Sequence, residues 1–525
     1  MPSLSTVEHG GSMPVIMIPR QYNAAYDLLQ RNIQAGRSDK IAFVDDYCSC
    51  TYGELDNRSS RFANALKDLG MRMEDRILMC VHDTIEFPTV FLGAIKSGVI
   101  PVAVNTLLTQ KDYEYMLCDS RARIVVVSEA LLPLFQPLLD RVPTLERILV
   151  ADPSGIHPNA VSKLIKNADP DCIIAPTTSD DVCFWLYSSG STGAPKGTAH
   201  VHSSLIQTAE YFARPTLGIN EDDTVFSAAK LFFAYGLGNG LTFPMSVGAT
   251  TILMAERPTP ESVCERLIKH KPTIFYGVPT LYAFMLASPD LPKPEEFNFR
   301  ICTSAGEALP EELGKRWFER FGVHILDGIG STEMLHVFLT NNPDDVRYGT
   351  TGKPVAGYQL KLLDDDGEEV PVGEAGELVI KGPTSAAFYW NNRAKTRTTF
   401  LGEWTRSGDK YIRDEDGYYI YSGRSDDMLK VSGIYVSPIE VEAALIKHEA
   451  VLEVAVVGHR DEEDLIKPKA FLVLKDGYEG NEELADELKS HVKSLLAPYK
   501  YPRWFEFLDE LPKTATGKIQ RFKLR

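Results

Sequence analysis

One stretch of the chain, Tyr187-Ser188-Ser189-Gly190-Ser191-Thr192-Gly193-Ala194-Pro195-Lys196-Gly197, gathers the groups that grip phosphate. Its three glycines permit positive φ, so successive backbone N–H groups can turn inward around an anion. Four Ser and Thr hydroxyls add donors, and Lys196 adds a charge suited to terminal phosphates. An apolar run at 182–186, strand-like in pattern, leads into it. A flexible Ser/Gly linker would not carry Pro195-Lys196-Gly197 straight after a buried strand. The stretch is not the P-loop of nucleoside triphosphatases either. Counting from Gly190, that motif needs glycine where Pro195 stands and Ser or Thr where Gly197 stands.

Five more segments follow in order: Ser304-Ala305-Gly306-Glu307, Gly330-Ser331-Thr332-Glu333, Ser407-Gly408-Asp409, Gly423-Arg424-Ser425-Asp426 and Pro512-Lys513-Thr514-Ala515-Thr516-Gly517-Lys518. Taken singly each has a bland reading. Thr332-Glu333 could be a helix cap, Asp409 and Arg424 surface ion-pair members, and Lys518 a solvated lysine. Together with the phosphate loop, their types and order closely resemble the acyl-adenylate-forming superfamily of acyl-CoA synthetases, luciferase-like enzymes and peptide-synthetase adenylation domains. The resemblance covers most of the chain, and its segments 232–236 and 330–336 are most similar to those of benzoate–CoA ligases.

The resemblance implies a two-step chemistry using ATP, Mg²⁺ and CoA. A carboxylate attacks the α-phosphorus of ATP and expels pyrophosphate; a thiol then attacks the mixed anhydride and expels AMP. Both partners of the first step are anions, so the site must bring them together and offset the growing charge. By resemblance, Ser188 to Gly193 and Lys196 hold phosphates, Thr332 donates to the α-phosphate and Glu333 holds the metal. Ala305, Gly306, Glu307, Asp327, Gly328 and Ile329 line the adenine site, with Ile329 where relatives usually carry a stacking aromatic residue. Asp409 takes the ribose hydroxyls and Arg424 the same sugar or the phosphates. Lys518 bridges carboxylate and α-phosphate, a task suited to a flexible point charge. Asp426 is the hinge of domain rotation, after which Ser432 and Gly433 border the CoA tunnel. The segment around Lys518 also resembles a target of regulatory lysine acetylation and deacetylation.

The acid is read from residues 230–239. Amino-acid-activating relatives carry in this region an aspartate against the substrate ammonium, and Ala234 and its neighbours offer no carboxylate, so an amino acid is disfavoured. Gly330 leaves space where acetate-activating relatives carry tryptophan. Ala234, Tyr235, Gly236, Gly330 and His336 can surround a flat ring, which points to a small aromatic carboxylic acid such as benzoate. His202, just after the phosphate loop, reads as structural. Three alternatives stand beside this reading: a medium-chain or other aryl acyl-CoA ligase, an adenylating enzyme loading a free-standing carrier protein, and a catalytically silent adenylate sensor. The presence of Lys518, Glu333, Thr332 and Asp409 together speaks against the last.

Regular elements must hold these groups. Thr51, with Glu54 three residues on, opens a helix whose Leu55, Phe62, Leu66 and Leu69 share a face and which Gly70 ends. Strand-like runs at 77–81, 102–104 and 124–127 alternate with helical patterns at 85–97 and 111–118, the signature of a covered parallel sheet. Beyond a polar join at 423–427, Ser437, Pro438 and Glu440 open another helix, strands follow at 454–457 and 470–474, and a charged helix spans 481–496. The expected architecture is mixed α/β and α+β: a large multi-subdomain α/β part over 1–425 and a small mobile α+β domain over 426–525. The length of 525 residues itself exceeds one core. A net charge of -17 argues against nucleic acid and anionic membrane as partners. The eight cysteines show no metal spacing, the N-terminus no signal pattern, and residues 87–104 are broken by Lys96 and Pro101, so a cytoplasmic protein with free thiols is expected, as monomer or homodimer.

Overall fold

A computed structural model describes every residue except 1, 12, 191–192, 290, 425–428, 432–433, 462–464, 497–499 and 514–518. Ser191, Thr192, Asp426, Ser432, Gly433 and Lys518 therefore lie outside the described residues, as do the side chains at 189, 190 and 193.

Two large sheets carry the N-terminal part. The first orders the strands Phe388–Tyr389, Gly193–Val201, Val182–Gly190, Ile100–Ala103, Arg76–Cys80, Ile124–Ser128 and Arg147–Ala151. Its five strands from Val182–Gly190 to Arg147–Ala151 run parallel, and the other two add antiparallel at one edge. The second sheet has a parallel centre that includes Thr224–Ser227, Ile274–Gly277, Ile301–Ser304 and Ile325–Gly330, followed by antiparallel Val337–Thr340. A third, antiparallel sheet holds Trp404–Arg413 against Tyr419–Arg424. The small C-terminal domain packs helices Pro438–Leu445 and Glu482–Leu495 on a sheet of Val451–Arg460, Ile466–Leu474 and Trp504–Phe507. This is the mixed architecture expected, with one difference: parallel pairing is spread over two sheets, and a separate antiparallel sheet carries Asp409 and Arg424.

Local signals account for the elements. Thr51 and Glu54 form a reciprocal capping box on helix Tyr52–Asp68, burying Leu55, Phe62 and Leu66. Ser437 caps Pro438–Leu445 through the Glu440 N–H, and Asn481 caps Glu482–Leu495 through that of Leu484. Residues 87–104 form the helix Glu86–Lys96, a turn and the strand Ile100–Ala103, and no described helix is long and apolar enough to cross a membrane. Helices Tyr52–Asp68 and Glu86–Lys96 meet at Gly93, where a Cβ would fall 2.7 Å from the Ser59 carbonyl oxygen.

The same helix pair is tied by a buried ammonium. Lys96, 1% exposed, donates to Asp56 Oδ1 at 2.6 Å, the Asp56 carbonyl at 3.0 Å and Ser60 Oγ at 2.8 Å. Asp56→Ala strands that charge and should cost about 3 kcal/mol, whereas Lys96→Met removes it and should cost clearly less. Urea unfolding of the two variants checks this; equal midpoints would contradict it.

Candidate active site

The described residues of the phosphate stretch lie in two paired strands on either side of 191–192. Val182–Gly190 and Gly193–Val201 pair antiparallel, with Lys196 opposite Ser188 and Gly193 opposite Gly190. Ribbon geometry brings Ser188 and Lys196 to one edge of a single cleft of about 4160 Å³ between the large domain and the small one.

Across that edge stands Glu333. It follows Ile325–Gly330 in a tight turn where Met334 N–H donates to Ser331 Oγ at 3.1 Å and Leu335 takes φ +65°. A left-handed Leu costs of order 1 kcal/mol and is held here by its burial in the core. His200, buried in the hairpin, lies with Nε2 2.7 Å from the Thr332 carbonyl oxygen, fixing the turn from beneath. Burial pushes the His200 imidazole down to about 4, so it stays neutral and donates. Glu333 Oε1 accepts from Tyr389 Oη at 2.7 Å and Ser188 Oγ at 3.2 Å, and lies 4.0 Å from Lys196 Nζ. Burial depresses the Lys196 ammonium pKa and the Glu333 charge opposes that shift. Oε2 of Glu333 has no partner among the described residues. No described cluster of three or more His, Cys, Asp or Glu could cage a metal. A lone carboxylate with a free oxygen fits Mg²⁺, which keeps much of its coordination shell as phosphate and water.

The adenine candidates sit at the C-terminal ends of adjacent parallel strands, where open α/β sheets bind ligands. Ser304 is in register with Asp327, so Ala305, Gly306 and Glu307 emerge beside Asp327, Gly328 and Ile329. Gly306 has φ +98°, which turns the chain there at no steric cost. Asp327 is buried, its carboxyl held well above the usual range by burial, and its Oδ1 lacks a partner among the described residues. A buried acceptor without a donor is costly, and a ligand amine would satisfy it. Asp409 and Arg424 oppose each other across their strands, with Arg424 Nη1 3.3 Å from Asp409 Oδ1. The small domain reaches the same corner: Ile519 N–H donates to Glu307 at 3.1 Å, and Lys513 Nζ lies 4.9 Å from the Phe284 ring centre.

The ring candidates line the cleft's inner end. Tyr235 Oη pairs with Thr303 Oγ1 at 2.6 Å. His336, 2% exposed, has Nε2 3.2 Å from the Tyr235 carbonyl and 3.1 Å from Asn239 Oδ1. Two oxygens face that nitrogen, so it carries a proton. Burial lowers the imidazole to about 3. Phe212, Phe243 and Tyr235 ring it at 5.4, 4.4 and 5.5 Å. Gly330 abuts the His336 backbone, where a Cβ would come 2.6 Å from its carbonyl oxygen.

Ala234, Tyr235, Gly330 and His336 thus open on the same cleft as Ser188, Lys196, Thr332, Glu333, Asp409, Arg424 and the adenine candidates. Gly236 does not line it; it is pressed behind Tyr235, where a Cβ would lie 2.0 Å from the Lys230 carbonyl oxygen. His202 is structural as expected: buried, with Nδ1 accepting from Ala24 N–H at 3.1 Å. Sequence reasoning gave no role to His200, Asn239, Thr303 and Tyr389, whose partners lie 132, 97, 68 and 56 residues away.

Known proteins agree with this arrangement. The AMP-binding enzyme family matches residues 29–390, and the AMP-binding enzyme C-terminal domain matches 440–518. A benzoate–CoA ligase of Thauera aromatica is 65% identical over the whole of both chains. A 4-hydroxybenzoate–CoA/benzoate–CoA ligase of Rhodopseudomonas palustris is 50% identical over 96% of this chain and 94% of that one. A solved benzoate CoA ligase from Burkholderia xenovorans superposes with a TM-score of 0.91 at 56% identity, covering 96% of this chain and all of that one. With its ordered motifs gathered on one cleft, the chain belongs to the AMP-binding enzyme family.

Proposed function

We propose that the protein is an ATP-dependent ligase that joins benzoate to CoA, releasing AMP and pyrophosphate through a benzoyl-adenylate. The observation that carries this reading is the 65% identity, end to end, with the Thauera benzoate–CoA ligase. The neutral, aromatic-walled pocket around His336 and Tyr235 suits a ring without charge.

In this reading residues 1–425 hold both substrates of the first step and residues 426–525 complete the site from above. Lys196 meets the outer phosphates of ATP, with the donors at 188–193 around them. Thr332 donates to the α-phosphate. Glu333 holds Mg²⁺, which when bound offsets phosphate charge. Asp327, Gly328, Ile329 and Ala305 to Glu307 enclose adenine, and Asp409 with Arg424 takes the ribose. The benzoate carboxylate, aimed outward by a ring seated on Ala234, Tyr235, Gly330 and His336, attacks the α-phosphorus as the bond to pyrophosphate breaks. Lys518 brings the two anions together. Rotation at Asp426 then withdraws it, and the thiol of CoA, arriving past Ser432 and Gly433, attacks the carbonyl carbon and expels AMP. Acetylation of Lys518 would remove the charge the first step needs.

Pyrophosphate release by purified protein, screened over benzoate, hydroxybenzoates, hexanoate and acetate with ATP and Mg²⁺, tests the substrate. Benzoate should give the highest kcat/KM, and a preference for hexanoate or acetate would overturn the assignment. Trapping with CoA separates thioester formation from transfer to a carrier protein.

Three further outcomes are expected. Lys518→Ala, or acetylated Lys518, should slow adenylation roughly 100-fold or more, as loss of a charge-stabilising group does, while supplied benzoyl-adenylate still reacts with CoA. Asp426→Pro should do the reverse, and equal losses in both half-reactions in either variant would remove the roles given. Because His336 charges only near pH 3, its stable neutral form persists throughout pH 6–9. The KM for benzoate should therefore be flat across that range, and an inflection near 6.5 would show an imidazole that titrates.

A further inference from the structure

Glu333 has two carboxylate oxygens, and the described residues treat them unequally. Tyr389 at 2.7 Å, Ser188 at 3.2 Å and Lys196 at 4.0 Å all approach Oε1, leaving Oε2 to the cleft. Tyr389 also presents its ring face to the same lysine, with Nζ 4.6 Å from the ring centre. One side chain thus touches both the cation and the carboxylate on which the proposed first step relies.

The phenol is built to stay where it is. Phe388–Tyr389 adds as a strand to the outer edge of the phosphate hairpin, pairing Tyr389 with Thr198 and Phe388 with Ala199. Tyr389 N–H donates to Thr396 Oγ1 at 3.1 Å, and the ring packs 5.2 Å from that of Phe400. The residue is 3% exposed. Burial first, and the Glu333 charge second, hold the phenol protonated, so it can only donate to the carboxylate.

The two charges have not collapsed onto each other. An ammonium 4.0 Å from a carboxylate is about 1 Å short of a direct charge-assisted hydrogen bond. Such a bond would quench the two charges against each other, leaving neither for the phosphates nor for a divalent cation. With Oε1 already occupied by the phenol O–H, and Nζ resting on the ring, the pair stands close but unmerged.

We propose that Tyr389 is a positioning residue of the adenylation step, which keeps Lys196 and Glu333 apart as separately usable charges and turns Glu333 Oε2 toward the metal. This rests on the function proposed above and extends it to a residue in none of the six sequence motifs.

Tyr389→Phe removes the O–H and keeps the ring and its packing on Phe400. The probe is Mn²⁺, titrated by electron paramagnetic resonance into the full chain with the non-cleavable α,β-methylene-ATP. Loss of a hydrogen bond to a charged group should raise the Mn²⁺ dissociation constant about tenfold. The Mg²⁺ concentration for half-maximal benzoate-dependent pyrophosphate release should rise equally. Reaction of supplied benzoyl-adenylate with CoA should keep its rate. In a Lys196→Ala background, with no ammonium to collapse, Tyr389→Phe should weaken Mn²⁺ binding by less than threefold. A single-variant Mn²⁺ constant within twofold of the parent protein, a full tenfold loss persisting without Lys196, or equal loss in both half-reactions would each overturn the proposal. A parent protein that binds Mn²⁺ with the analogue but makes no benzoyl-adenylate would instead fail the functional reading while leaving the Tyr389 test intact.

Discussion

A lysine and a glutamate facing each other at 4.0 Å, from two different sheets, set the terms for the rest of the molecule. Lys196 comes from the hairpin edge of the first sheet; Glu333 comes from the turn after a strand of the second. Displacing either by much would part a cation and a carboxylate that face each other on the cleft. Much of the architecture serves that spacing. His200 ties the hairpin to the Thr332 carbonyl, Ala386 N–H donates to the Glu333 carbonyl at 2.8 Å, and Thr384 Oγ1 donates to that of Met334 at 2.7 Å. The strained Leu335 is the conformational cost of presenting Glu333 there, offset by core burial.

The ring pocket follows a related logic with the charges removed. Two π-helical turns, Ala209–Ala213 and Gly238–Thr242, flank His336. The second leaves the Tyr235 carbonyl near His336 Nε2 and brings Asn239 to the same nitrogen. Gly238 is required for this approach, since a Cβ would fall 2.3 Å from the His336 ring. A polar side chain is thereby kept neutral among phenylalanines. Directly outward lies the charged gap, so one cleft offers an apolar end for a ring and an ionic end for the carboxylate and phosphates.

Signals confined to a few neighbouring residues were legible in the sequence. The capping residues Thr51, Ser437 and Asn481 each start the helix expected of them, because a cap is satisfied within one turn. The six motifs were legible as an ordered set, and all that fall on described residues border one cleft. The pairing of the strands that flank the phosphate stretch was not, since glycines that permit a nest are equally compatible with extended backbone. Which sheet a strand joins is a long-range choice, so alternation of strands and helices left the division into two parallel sheets open. Tyr389 and His200 were invisible for the same reason: neither has a neighbour in sequence that marks its partner. Gly236 shows the converse, a residue within a recognised segment whose place is set by backbone packing behind the pocket.

The central claim is that phosphate is held between the hairpin and Glu333. The most direct measurement is a crystal structure with ATP bound in the presence of Mg²⁺. The account expects the outer phosphates within hydrogen-bonding distance of Lys196 Nζ and the metal ligated by Glu333. A triphosphate seated elsewhere, with Lys196 still resting against Tyr389 and Glu333, would contradict it.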